Sequence, residues 1–287
     1  MRLFSKHFFT AILSTTAAFS SFAQDWILDK NINPTYQEVL IKDQANLASL
    51  DMPGQIVAGF EKIFGSNQLN GQNIASWINQ RVKVVLDEKF DIQNNISIEG
   101  QVVSSNNEVK TKQEGMVVMS NIGAALYMQA KQYGVLIALM VEDSLNVEKV
   151  LINSPRAGIL MIGKGLFYGL EKDEELNKYV NSLLRISTFA HEGRHSDGHG
   201  ANLSFGHNKC PQGHAMANEY ACDFNGNGPY AVGGILSWEM AKNCPADKCT
   251  EKDKLRLKAD ALDSFSRIMK VNGKLEFHDP AHEEIKI

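Results

Sequence analysis

The stretch Ser187 to Gly200 reads STFAHEGRHSDGHG. It contains His191-Glu192-Gly193-Arg194-His195, an H-E-x-x-H string. On a helix, residues four apart lie one turn apart on one face, so both imidazoles can reach a single ion. Glu192 stands beside the first histidine, where it can take a proton from a water that the ion has made acidic. These residues offer metal-assisted hydrolysis with Glu192 as general base. A catalytic zinc still needs a third protein ligand and one open position.

One continuation of the string, the metzincin H-E-x-x-H-x-x-G-x-x-H, matches Gly198 but has Ala201 at the ligand position. Alanine cannot ligate, so that pattern fails here. Residues 217–228, ANEYACDFNGNG, supply another solution in Asn218-Glu219-x-x-x-Asp223. A helix is predicted there, between Gly213 and the Asn225–Pro229 stretch, with Glu219 and Asp223 on one face. Glu219 can then be the third ligand. Asp223 can accept the second ring N–H of a ligand histidine and fix its tautomer. His199, His207, His214 and Asp197 also carry suitable donor atoms, and any of them could replace Glu219. Tyr220, Tyr230 and His199 are candidate donors to an oxyanion. Arg194 is expected on the exposed flank, in a surface ion pair.

The pair H-E-x-x-H (191–195) and N-E-x-x-x-D (218–223) resembles the gluzincins, the thermolysin-like and related zinc peptidases. NEYACDFNG is also similar to the E-x-x-x-D stretch of the membrane prenyl-protein and heat-shock proteases. The resemblance covers roughly residues 156–228. The interval of 23 residues between His195 and Glu219 is longer than in thermolysin-like enzymes and shorter than in the membrane family. It implies His191, His195 and Glu219 as ligands to one Zn2+ per chain. It also implies Glu192 as the base and Asp223 as the supporting carboxylate. In such enzymes an edge strand before the motif helix pairs with an extended peptide. Residues 156–163, RAGILMIG, stand where that strand would be, and an ordinary core strand is the equal alternative.

The elements that must hold these residues follow from periodicity. Glu171 to Glu192 runs without Gly or Pro and is predicted as a helix, with acids crowding its first turns. Leu176, Val180, Leu184, Ser187, His191 and His195 form one stripe along it, so both histidines face inward. Helices are also predicted over 55–64, 73–90 and 116–133. Strands are predicted over 91–103, 135–141, 147–153 and 157–162. Residues 24–54 are expected to wrap over the fold. The fold class is α+β and zincin-like, with a small sheet beside the motif helix and a mainly helical C-terminal part.

Residues 1–23 have a basic start, an apolar run and a small-x-small end, which reads as a signal peptide. The apolar run is too short to span a bilayer. The mature chain, 24–287, is expected to form one domain: an α/β part over 24–150, then the motif-bearing part over 151–287. Its longest apolar stretch, 116–141, is interrupted by Lys131 and several amides, which argues against a membrane span. Removing residues 1–23 takes the formal charge from −4 to −6, a poor match for nucleic acid. The partner expected is a peptide or protein substrate. Cys210, Cys222, Cys244 and Cys249 in an exported chain predict two disulfides. Three connectivities exist, of which 210–222 and 244–249 close short local loops. The localisation expected is periplasmic or secreted. Two further readings stand beside the peptidase: a non-catalytic exported protein with a structural zinc, and a zinc amidase acting on cell-wall peptides.

Overall fold

The computed structural model describes residues 26–52, 60–87, 97–98, 101–102, 158–167, 172–195, 197 and 207–275. Residues 1–23, read as a signal peptide, the helix expected over 116–133, the strands expected over 135–141 and 147–153, His199 and Ala201 lie outside the described residues.

The chain enters through β1 (Ile27–Leu28) and α1 (Pro34–Ala48), followed by α2 (Glu61–Phe64), α3 (Gly71–Asn79) and β2 (Val82–Asp87). Next come the short strands β3 (Ser97–Ile98) and β4 (Gln101–Val102), then β5 (Gly158–Ile162) and a 3-10 turn at Lys164–Phe167. α4 (Asp173–Leu176) leads into α5 (Tyr179–His195). β6 (Asn208–Lys209), β7 (Tyr220–Cys222), α6 (Pro229–Asn243) and α7 (Glu251–Ser266) complete the described order. The architecture is α+β, and no helix among the described residues is long and apolar enough to cross a membrane.

β1, β2 and β5 form a parallel sheet in that spatial order. The N-terminal segment therefore belongs to the sheet and does not wrap over it. β2 falls inside the helix expected over 73–90. α3 keeps the predicted face, with Ile74, Trp77 and Ile78 buried, but it stops at Asn79. Val82, Val84 and Val85 are then drawn into pairing between β1 and β5, where β-branched side chains pack well. The strand expected over 91–103 is represented by the antiparallel pair β3 and β4.

α5 is the central element, and nearly every side chain on it is buried. It begins at Tyr179, later than expected, because the chain breaks at Asn177–Lys178. Side chains take the carbonyls exposed there: Asn181 Nδ2 donates to Glu175 O at 2.5 Å and Arg185 Nη2 to Leu176 O at 3.2 Å. Phe189 stacks on Trp26 with ring centroids 4.4 Å apart. α1 docks through Asp43, whose carboxylate accepts from Arg185 Nε at 2.5 Å and from Nη2 at 2.9 Å. Both side chains are buried, and burial pushes the Asp43 carboxyl up despite the guanidinium.

That pair gives a stability prediction. Arg185→Met leaves a buried carboxylate without its counter-charge, an expected cost of about 3–5 kcal/mol. Asp43 can relieve this by taking a proton. A folded-state pKa above the unfolded one makes stability fall as pH rises. The loss of melting temperature should therefore be largest at neutral pH and shrink on acidification. The double variant Asp43→Leu/Arg185→Met should recover most of it.

α6 and α7 form a helical hairpin whose turn is closed by the Cys244–Cys249 disulfide. Thr250 caps α7 through a capping box with Asp253. Cys210–Cys222 is the second bridge, so both expected pairings are present. Two disulfides are compatible with an exported protein.

Candidate metal centre

His191 and His195 close the last turn of α5, with ring centroids 5.2 Å apart. The third side chain beside them is His207. Its ring lies 5.1 Å from that of His191 and 4.6 Å from that of His195. The three imidazoles each offer one nitrogen, and these atoms all lie within 4.8 Å of one another. Glu192 is buried on the same turn, with Oε2 3.9 Å from His195 Nε2.

His207 arrives there because of a small hairpin. β6 and β7 pair antiparallel with Asn208 opposite Cys222, and the Cys210–Cys222 bridge ties them. The residues just outside that register, His207 and Asp223, are thereby brought side by side. Asp223 Oδ1 lies 2.7 Å from His207 Nδ1. Asp223 is itself fixed through its backbone: its N–H donates to Arg267 O at 2.9 Å and its carbonyl accepts from Met269 N–H at 2.7 Å. Its second oxygen, Oδ2, accepts the Tyr230 N–H at 3.0 Å and so caps the start of α6. A Cβ on Gly228 would stand 2.6 Å from that oxygen, so only glycine leaves the carboxylate room.

The helix expected around 218–223 is absent. Gly213 and Asn218 take positive φ in the turn of the hairpin, and Tyr220–Cys222 is strand. Cys210 N–H donates to Glu219 O, and Asn218 N–H to Cys210 O. Glu219 is exposed, while Asp223 is buried, so the two carboxylates do not share a helix face. Asp223 does receive a histidine N–H, as anticipated for the supporting carboxylate, and the histidine is His207. His214 is held elsewhere: Nδ1 accepts from Met216 N–H and Nε2 meets Ser266 O. Cys210, His214 and Cys222 also cluster, but the two sulfurs are joined in the disulfide. Asp197 is buried between Arg81 and Arg194, and Arg194 itself is fully buried, not on the exposed flank. Of the two tyrosines, Tyr220 is largely exposed, whereas Tyr230 lies 4.6 Å from both the His191 and the His207 rings. Arg267 Nη1 donates to the Tyr230 hydroxyl at 3.0 Å. Burial pushes the Tyr230 phenol up, and Arg267 pulls it back.

The tautomers bear on what the cluster can hold. A carboxylate only accepts, so His207 presents a proton on Nδ1 to Asp223 and turns Nε2 toward His191. The Pro229 backbone, which offers only a carbonyl, favours the charged form of His191 slightly. The two Nε2 atoms stand 3.2 Å apart. At that separation either a shared proton or a shared cation can join them. Burial, with His207, His195 and Arg267 close by, also holds the His191 imidazole well below its ordinary pKa, in the neutral form that ligates. The donor set fits a metal ion of imidazole preference.

The chain matches no protein-family model, no curated protein and no solved structure.

Proposed function

We propose that this chain is an exported zinc metallopeptidase whose ligands are His191, His195 and His207. The observation that carries the reading is the convergence of three imidazoles, with the His191 and His207 Nε2 atoms 3.2 Å apart and Glu192 buried on the same turn as His195. Nitrogens sharing a tetrahedral zinc stand about 3.3 Å apart. His207 takes the place that the gluzincin resemblance gave to Glu219, so the H-E-x-x-H core is kept and the third ligand differs. A bound zinc would supply Lewis acidity toward a peptide carbonyl and toward water. Glu192 accepts a proton from the attacking water and passes it to the leaving amine. Asp223 holds His207 in the tautomer that keeps Nε2 available. Tyr230 packs its ring on His191 and His207, and its hydroxyl is the candidate donor to a developing oxyanion. Among the described residues β5 lies at one end of the three-strand order, which is compatible with a role in holding an extended peptide.

The test is elemental analysis of the purified mature protein together with hydrolysis of a quenched-fluorescent peptide library. The expected result is about one zinc per chain. Peptide cleavage should disappear with a chelator and return with zinc. Full zinc with no turnover on any peptide would leave the non-catalytic, structural-zinc reading in its place.

A further inference from the structure

We infer that Arg194, the variable residue just before the second histidine of the motif, is a positioning residue that ties the ligand helix to the segment orienting His207. The inference rests on the metal reading above and adds to it.

Arg194 is entirely buried. Its guanidinium reaches two separate pieces of chain. Nη1 donates to Asp197 Oδ2 at 2.7 Å, and Nε donates to the Asn227 carbonyl at 2.9 Å. The first contact holds the chain where it leaves α5. Asp197 is gripped from the far side by Arg81, whose Nε lies 3.0 and 3.1 Å from its two oxygens. Arg81 is in turn anchored on α3, with Nη1 donating to Trp77 O at 3.0 Å and its guanidinium 3.9 Å over the Trp77 ring.

The second contact matters for the metal centre. Asn227 opens the stretch Asn227-Gly228-Pro229-Tyr230, and each of the next three residues touches the ligands or their supports. Gly228 leaves room for the Asp223 carboxylate. Pro229 opens the helix whose next turn packs Gly233 against His191 and accepts from Ser187 on the same face of α5. Tyr230 gives its backbone N–H to Asp223 and packs its ring on His191 and His207. One planar side chain thus fixes the helix that carries His191 and His195 relative to the stretch that packs on His191 and His207 and holds Asp223.

Charge sharpens the point. Two buried guanidiniums face one carboxylate, and burial lowers both of their pKa values, that of Arg81 to about 10. Arg81 and Asp197 alone would already form a neutral pair. A second buried cation is costly for the fold, but its fork offers two directed hydrogen bonds that a point charge cannot make at once.

The test uses the full mature chain. Because Arg194→Met leaves the neutral Arg81–Asp197 pair, it should fold with both disulfides and an unchanged far-ultraviolet spectrum. Zinc affinity, measured by competition with a chromophoric chelator, should fall about 10–100-fold. The visible spectrum of the cobalt-substituted form should change as well. Arg194→Lys reaches one partner but not both, so its affinity should lie between Arg194→Met and wild type. If Arg194→Met does not fold, the lysine variant alone should still bind zinc several-fold more weakly. A folded variant with wild-type zinc affinity and an unchanged cobalt spectrum overturns the inference and leaves the metal reading standing. A wild-type protein that takes up neither zinc nor cobalt overturns both.

Discussion

His207→Ala is expected to strip the metal from the protein, while Glu219→Ala leaves it in place. Among the described residues, His207, just before β6, supplies one of three converging nitrogens. Structural zinc binding is worth about 10–16 kcal/mol over a full ligand set. One ligand of such a set therefore carries roughly 3 kcal/mol, or about 10²-fold to 10³-fold in affinity. Glu219 is exposed at the start of β7, and its backbone carbonyl, which holds Cys210, survives the substitution. Its effect on zinc should stay within about twofold, as for other surface changes. Elemental analysis of the two variants, beside wild type, decides the matter. The opposite pattern, with zinc lost from Glu219→Ala and kept by His207→Ala, would return the third ligand to Glu219 and require a helix where the structure has a hairpin.

Why was the glutamate the attractive choice in the sequence? Reading Glu219 and Asp223 as one face assumes a helix, and four-residue spacing means proximity only on a helix. What overrides it is non-local. The Cys210–Cys222 bridge joins residues on the two sides of a turn, and strand pairing then sets His207 against Asp223, sixteen positions away in sequence. Both disulfides were legible from loop length alone, and the first of them held the clue: a bridged hairpin brings its flanking residues together. Asp223 as the partner of a histidine was legible too, because a carboxylate that close to a histidine-rich motif has an imidazole N–H to accept, and here that imidazole is His207. α5 was legible from its periodicity, although Asn181 and Arg185 break its expected first turns with side-chain hydrogen bonds that no pattern reveals. β2 was hidden for a different reason. Its valines fit a helical period as well as a strand, and only pairing with β1 and β5 distinguishes the two. Arg194 was placed outside because arginine is seldom buried. Its burial depends on Asp197 and on the Asn227 carbonyl, and the second of these lies beyond the hairpin.

Glu192→Gln is expected to remove turnover while leaving zinc bound. The amide matches the carboxylate in size, so the buried position on α5 keeps its packing. It cannot accept the proton that the attacking water must lose. General-base contributions are typically about 10²–10⁴-fold, and the loss should appear in kcat with KM little changed. The measurement pairs peptide cleavage with metal content on the same preparation, because each wrong outcome then has its own meaning. Activity at the wild-type level would show that another group takes the proton. Zinc lost along with activity would make Glu192 a ligand, a role its carboxylate could reach from 3.9 Å off His195 Nε2. Only zinc retained with activity lost separates the base from the three histidines that would hold the ion, and that separation is what makes an H-E-x-x-H helix a catalyst and not merely a clasp.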